Sequence, residues 1–567
     1  MIVGALLIPL LRGRLQSLYV VALPIVSFAH LLGMEPGLYG RVGIFDYELT
    51  FARIDKLSLV FGYIFHIMAI LGAVYSFHLR DNVQHTAGVI YAGSAIAAAF
   101  AGDMITLFVF WELTAISSVF LIWSSGTESS YRAGMRYLII QVASGVVLLS
   151  GVLIHYQSTG SIAFDKLATA YGLDVLSGGD LGMQHLGATL ILLAFGIKCA
   201  FPLMHNWLVD AYPEATPTGT VFLSSFTTKT AVYALARGFE GAEILIWIGA
   251  AMTMFPIFYA VIENDLRRVL GYSMINQIGF MVAGVGLGAG MGVNGAVAHA
   301  FNDVIFKGLL FMSMGAVLLR TGTMNGSDLG GLYKSMPWTC GFCIVGASSI
   351  SAFPFFSGFV SKSMVMAEAA HAGYLVVWLM LLFASAGVFH HAGIKIPFFA
   401  FFAHDSGIRC REAPPNMLVA MGIAATLCVG IGCFPGLLYS MLPYPVEYEP
   451  YTATHVVQQW QILFFSALAF AALKLTGIYP PELRSVNLDV DWFYRRLLPA
   501  SVGVVRRHGA AVMDAILTAA KGGVRMVVVL LHVLHGPQGA FARTWLTSSN
   551  VAITILLLTA CLILFYL

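Results

Sequence analysis

Apolar runs long enough to cross a bilayer recur along nearly the whole chain, separated mostly by short polar connections. A bilayer core takes about 20 apolar residues per helix, which gives about 16 candidate spans, the last being VAITILLLTACLILFYL. The runs are continuous and rich in Gly, Ala, Leu and Met, where a membrane barrel would show short alternating strands; helices are predicted throughout. The opening MIVGALLIPLLRGR is apolar first and basic last, the reverse of a signal peptide, and predicts a first, mature span.

One region departs from the pattern of short loops. About 70 residues separate a span ending near Leu475 from one starting near Asn550, and they open with the polar PPELRSVNLDVDWFYRR. From about Pro499 to His535, Arg506, Arg507, Asp514, Lys521 and Arg525 alternate with Val, Leu, Ile and Met, which predicts a surface-lying amphipathic helix about 50 Å long rather than a crossing. Such a helix would clamp other spans or a neighbour; the alternative is an ordinary cytoplasmic tail.

Basic residues occupy alternate loops: Arg12 and Arg14, Arg80, Arg132 and Arg136, Arg267 and Arg268, Arg320 and Lys334, Arg409 and Arg411, then Arg484, Arg495 and Arg496. These loops are predicted to be cytoplasmic. The intervening loops carry Asp165, Asp174 and Asp180, or Glu447 and Glu449, with Arg41, Arg53 and Arg237 as exceptions. Both termini then face outward.

Composition agrees. The chain is 59% hydrophobic and 10% charged, with a mean hydropathy of +0.83, against about 25% charged residues in a soluble domain. A formal net charge of +2 points to no nucleic-acid partner. The seven cysteines lie mostly within apolar runs, so no disulfide framework is expected. Cys340 and Cys343 form a CxxC with no second pair, read as packing residues rather than a metal site.

Against that background a few charges stand out inside the runs: Glu112, Lys198, Lys229, Lys307 and Lys362. A charge at bilayer mid-depth costs about 2.5–3.5 kcal/mol on the lenient insertion scale, and such residues usually line an ion path. Two spans look broken, at Pro202 in GIKCAFPLMHNW and at Pro354 in SAFPFFSGFVSK, because proline removes a backbone hydrogen bond and clashes with the preceding turn. Both breaks read Ala-Phe-Pro and each has a lysine nearby, which suggests two related halves, 84–240 and 243–400. The flanking segments are then 1–83 with N-terminal spans, 401–478 with additional spans, 479–547 as the lateral segment and 548–567 as the final span.

His299, Asp303 and Lys307 recur every four residues, a stripe on one helix face that covers about 12 Å. Bridged by waters, such a ladder passes protons; alternatively, Asp303 and Lys307 form a buried ion pair that fixes packing. Desolvation favours the neutral form of a buried lysine and a nearby carboxylate its charged form, so a moving partner switches the charge state. Glu112 with Lys198, and Lys229 on the next span, suit such a switch.

The run FGIKCAFPLMHNWLVDAYPEATPTGTVFLSSFTTKTAVYALAR, with FWEL upstream and DLRRVLGYSMINQIGF, HAFNDVIFKGLLF and FSGFVSK downstream, resembles the antiporter-like subunits shared by respiratory complex I, membrane-bound hydrogenases and Mrp-type cation/proton antiporters. The wording of DAYPEATPT and TTKTAVYALAR is most similar to the D-type subunit of Mrp antiporters. The resemblance covers residues 54–400. It implies an all-α polytopic membrane protein with about 14 core transmembrane helices, two inverted five-helix repeats and two broken helices. By motif match, Glu112 is the family's glutamate, Lys198 the broken-helix lysine and Lys229 the next lysine. His299 and Lys307 match the connecting span, and Lys362 the terminal residue. Where many members carry a second histidine, this chain has Asp303. The C-terminal region resembles the lateral helix and final span of the distal complex I subunit. His390, His391 and Lys395 are further path candidates, equally suited to capping their span at the cytoplasmic surface.

The expected function is therefore that of a proton-translocating subunit of a multisubunit complex in a bacterial or archaeal cytoplasmic membrane. Other membrane subunits, including further antiporter-like ones, are the expected partners, and H⁺, with Na⁺ as an option, the ion. No cofactor, metal or redox chemistry of its own is expected. A self-sufficient Na⁺/H⁺ antiporter ranks second, since a lysine-dominated line offers few of the oxygen donors sodium needs. A scaffold of an ion-coupled complex, such as one for inorganic carbon uptake, ranks third.

Overall fold

The computed structural model describes residues 1–44, 47–167, 183–288, 290–484, 487–544 and 546–567; Asp174 and Asp180 of the predicted acidic loop lie outside them. Two compact units emerge, Met1–Asn487 and Leu488–Leu567.

In the first unit a short α1 (Ile2–Ala5) and a 3-10 turn at Ile8–Leu10 precede α2 (Gly13–Leu32). The first fourteen residues therefore do not form a span, because the Pro9 turn and the extended Leu11 interrupt the helix before it can cross. The outward N-terminus, which rests on that span, loses its support. An antiparallel hairpin follows, β1 (Gly37–Ile44) and β2 (Tyr47–Ile54), in register from Gly37 opposite Ile54 to Ile44 opposite Tyr47. It is the one β-sheet among the described residues of a mostly helical chain. Its β-branched and aromatic residues are the ordinary strand signal.

Next come α3 (Lys56–Tyr75), α4 (Asn82–Phe100), α5 (Met104–Trp123), α6 (Glu128–Thr159), α7 (Met183–Cys199), α8 (Asn206–Ala211), α9 (Gly219–Ser225) and α10 (Thr227–Gly238). Beyond them run α11 (Glu243–Ile262), α12 (Leu266–Leu287), α13 (Met291–Thr321), α14 (Pro337–Ile350), α15 (Ser357–His371) and α16 (Leu375–Val388). The last continues as π-helical turns around α17 (Lys395–Pro397), and α18 (Pro415–Cys433), α19 (Gly436–Met441) and α20 (Ala453–Leu475) complete the unit. The second unit holds α21 (Leu498–His535) and α22 (Thr547–Tyr566). None of the residues of α21 is buried within the chain.

Among the described residues, twelve helices are long and apolar enough to cross a membrane, fewer than the sixteen candidate runs. Part of the shortfall has a physical cause: α7 with α8, α9 with α10, and α14 with α15 are runs cut into pieces shorter than a bilayer. The helix that includes α21 is among the twelve, so composition alone does not separate a lateral helix from a crossing.

The two Ala-Phe-Pro breaks share one backbone solution. Among the described residues, the non-glycine positions with positive φ are Ala200 (φ 61°) and Leu203 (φ 70°) in the first break, and Ala352 (φ 59°) and Phe355 (φ 73°) in the second. Phe201 N–H bonds the Gly196 carbonyl at 3.0 Å and Ala200 N–H that of Ile197 at 3.2 Å; Phe353 with Ser348, and Ala352 with Ser349, repeat the pair at 3.1 Å each. That is a Schellman end with alanine where glycine is usual. A proline turn follows at once, closed by Met204 N–H on Phe201 at 2.9 Å and by Phe356 N–H on Phe353 at 3.1 Å, with the left-handed residue at the third position.

A second correspondence lies five crossings apart. Asp103 caps α5 and its backbone bridges to Ala163; Asp265 caps α12 and bridges to Asn325. Between them run α5, α6, α7 with α8, α9 with α10, and α11, and an odd number of crossings inverts the second copy relative to the first.

Candidate functional site

Lys198 is the penultimate residue of α7, just before the first break, and it is buried. Its ammonium donates to the Trp111 carbonyl at 2.5 Å and to Thr114 Oγ1 at 3.0 Å, and lies 4.3 Å from the Trp111 ring centroid. All three acceptors are on α5, which also carries Glu112. Glu112 and Lys198 interact by charge without a direct hydrogen bond; Glu112 Oε1 is buried with no hydrogen-bond partner. Its carboxylate sits against α6 at Gly145, where an added Cβ would fall 1.5 Å from Oε1. The pocket exists because that position has no side chain.

Lys229 lies on α10, just past the interruption at Phe226. Its ammonium donates to the Ser224 carbonyl at 3.1 Å and stands 2.7 Å from Asp303 Oδ2, with both side chains fully buried. Asp303 on α13 thus pairs across to α10, and Lys307, one turn away, donates instead to Ser273 Oγ on α12 at 2.8 Å. The geometry removes the alternative of an Asp303–Lys307 pair within the stripe. His299 is held between Ser361 Oγ at 3.1 Å and Gln277 Oε1 at 3.2 Å, and so faces α15 and α12. Lys362 on α15 donates to the Ile350 carbonyl at 2.9 Å, a group at the C-terminal end of α14 left free by the second break, and lies 5.1 Å from the Phe280 ring. His299, Lys307 and Lys362 all feel the charge of Asp303.

The structure therefore brings the sequence candidates together in two groups, Glu112 with Lys198, and Lys229, His299, Asp303, Lys307 with Lys362. His390, His391 and Lys395 lie on the π-helical turns and α17, where His391 is buried and feels the charge of Lys307. Lys395 donates to the carbonyls of Val261 at 2.7 Å and Glu263 at 2.6 Å, at the end of α11, and pairs with Glu482 at 3.0 Å. That is the geometry of a helix-capping clamp. His390 stacks on Tyr479, centroids 5.6 Å apart.

Several contributors escape a reading by charge. Ser273 and Gln277 carry a usable signal, as polar residues inside an apolar run, and Thr114 and Ser361 a weaker one. Gly145 looks like any packing glycine, and Glu482 like any loop acid.

A family model described as NADH:quinone oxidoreductase/Mrp antiporter, TM matches residues 101–389. The A-type Na⁺/H⁺ antiporter protein of Alkalihalophilus pseudofirmus is 27% identical over 493 residues, 76% of this chain and 60% of its own. NADH-quinone oxidoreductase subunit N of Desulforudis audaxviator is 32% identical over 380 residues, 63% of this chain and 75% of its own. A chain of the Mrp complex from Dietzia sp. superposes with a TM-score of 0.68 at 20% identity, covering 82% of this chain and 98% of that one. The chain spans about 60% of the length of the first curated relatives it matches. With the family model matching just over half of its 567 residues, the two broken helices inside or beside that stretch and the fold shared, the chain belongs to the NADH:quinone oxidoreductase/Mrp antiporter transmembrane family.

Proposed function

We propose that this chain moves protons as an antiporter-like subunit of a larger membrane complex, along the line Glu112, Lys198, Lys229, His299, Asp303, Lys307 and Lys362. One observation carries the reading: the ammonium groups of Lys198, Lys307 and Lys362 are fully buried and hydrogen-bonded to neutral carbonyl or hydroxyl oxygens. A structural lysine at such depth pairs with a carboxylate, because an uncompensated buried charge is expensive. Three buried lysines sharing distant carboxylates instead change charge as their neighbours do.

In this scheme a shift of Glu112 alters the charge on Lys198, whose proton passes to Lys229. The Lys229–Asp303 pair stands at the head of the second group; when it opens, the charge seen by His299, Lys307 and Lys362 changes together. Sodium finds few free oxygen donors on this line, so H⁺ is the favoured ion. The basic loops place the α5–α6 and α11–α12 turns on the cytoplasmic side of a bacterial or archaeal membrane, with the C-terminus outside. The partners are further membrane subunits, with α21 lying along the surface as the contact to one of them.

Lys198→Ala and Glu112→Ala should each reduce proton translocation at least about a hundredfold, measured with a pH-sensitive dye in proteoliposomes holding the chain and its native partners. Wild-type rates in both would overturn the reading.

A further inference from the structure

The helices packed around Lys198 and Lys229 also carry buried polar side chains that bear no charge. The inward face of α6 carries Tyr137, Gln141, Ser144 and Gly145, all buried. Two hydrogen bonds set its register against the antiparallel α5: Trp111 Nε1 to Ser144 Oγ at 3.1 Å, and Ser118 Oγ with Tyr137 at 2.8 Å. Trp111 and Ser118 are seven residues apart, as are Tyr137 and Ser144. Three steps in from the first contact, Thr114 therefore faces Gln141, and Thr114 is the hydroxyl that holds the Lys198 ammonium.

Toward the other lysine the Tyr137 hydroxyl faces Thr227, whose Oγ1 meets Tyr91 Oη at 2.6 Å, and Thr227 is two residues from Lys229 on α10. A hydroxyl thus bonds the Lys198 ammonium, other hydroxyls lead to the start of α10, the helix that carries Lys229, and Gln141 lies on α6 between the two sets. The residue is fully buried, yet neither its amide oxygen nor its amide nitrogen has a hydrogen-bond partner; nor do Thr228 Oγ1 and Glu112 Oε1. An amide buried without partners costs several kcal/mol. A cluster of such atoms is what a buried water needs, since each water takes two to four polar partners.

We propose, resting on the proton-path reading above, that Gln141 is a positioning residue: it anchors water between Thr114 and Tyr137 and so completes a hydroxyl bridge from Lys198 to Lys229. The amide does not itself exchange the proton. It orients water that accepts from the Lys198 side and donates to Tyr137, and Tyr137 and Thr227 pass the hydrogen bond on toward Lys229.

Gln141→Leu keeps the length of the side chain and removes both polar atoms. In proteoliposomes holding the full chain with its native partners, it should slow proton translocation about tenfold or more, and Tyr137→Phe should slow it severalfold. Lys198→Ala is measured beside them. If Lys198→Ala stops translocation while Gln141→Leu keeps the wild-type rate, the water bridge is overturned and the proton path stands; if Lys198→Ala is silent, both fall. Should Gln141→Leu fail to assemble, an electron-microscopy map of the wild-type complex that resolves waters decides. Water bonded to the Gln141 amide and to Thr114 supports the bridge, and an amide bonded only to protein atoms overturns it.

Discussion

At the residue scale, the position of Glu112 depends on Gly145, because the carboxylate occupies the volume that any side chain there would fill. Gly145→Ala should push the carboxylate aside and impair translocation nearly as much as Glu112→Ala, with the same dye assay as the check; a wild-type rate would show that the carboxylate can stand elsewhere. Asp303→Asn leaves Lys229 without its counter-ion while keeping the shape, and should slow transfer from Lys229 into the rest of the second group severalfold or more, by the same dye assay. Outside the spans, Asp55 takes two hydrogen bonds from Arg237, at 2.9 and 2.8 Å, and lines a cavity of about 350 Å³ with Arg237, Glu240 and Tyr444. Burial pushes its carboxyl up, but Arg237, the Ser58 N–H and Arg53 outweigh burial and hold it at about 2. Since that lies below its unfolded value of about 4, the stabilisation is complete above about pH 4 and fades as the pH falls toward 2. A comparison of wild type with Asp55→Asn by thermal unfolding should show a gap at neutral pH that closes over that window.

At the element scale, the breaks at Pro202 and Pro354 are legible as interruptions, since proline excludes itself from a helix interior. Their shape is not. Ala200 and Ala352 adopt a left-handed conformation that costs a non-glycine residue about 1–2 kcal/mol, a strain the surroundings impose equally on both halves. Ala200→Gly should therefore raise thermal stability by up to about 1 kcal/mol, because relief of strain exceeds the added freedom of the unfolded chain; a lower melting temperature would show that the alanine methyl is needed for packing. The cut between α9 and α10 carries no proline and gave no sequence signal, being a product of packing rather than of local propensity; the π-helical turns around Lys395 flank Pro397, a local cause present in the sequence.

At the scale of the whole molecule, residues 488–567 form a unit of their own, and no residue of α21 is buried within the chain. Removal of that unit should leave the first unit folded but release a neighbouring protein of the complex on purification in mild detergent; retained assembly would argue against α21 as a contact. Length, hydropathy and the charges inside apolar runs determined by themselves that the chain is a helical membrane protein, which residues are out of place in lipid, and which family it resembles. Those properties follow from the bilayer as solvent, acting on each run separately. Tertiary structure alone decided that Asp303 pairs with Lys229 and not with its own-helix neighbour Lys307, that Glu112 rests against a glycine, and that the Gln141 amide is buried with neither polar atom hydrogen-bonded to the protein. Each of these depends on the register between helices distant in sequence, and register is set by side-chain packing across interfaces that no single run encodes.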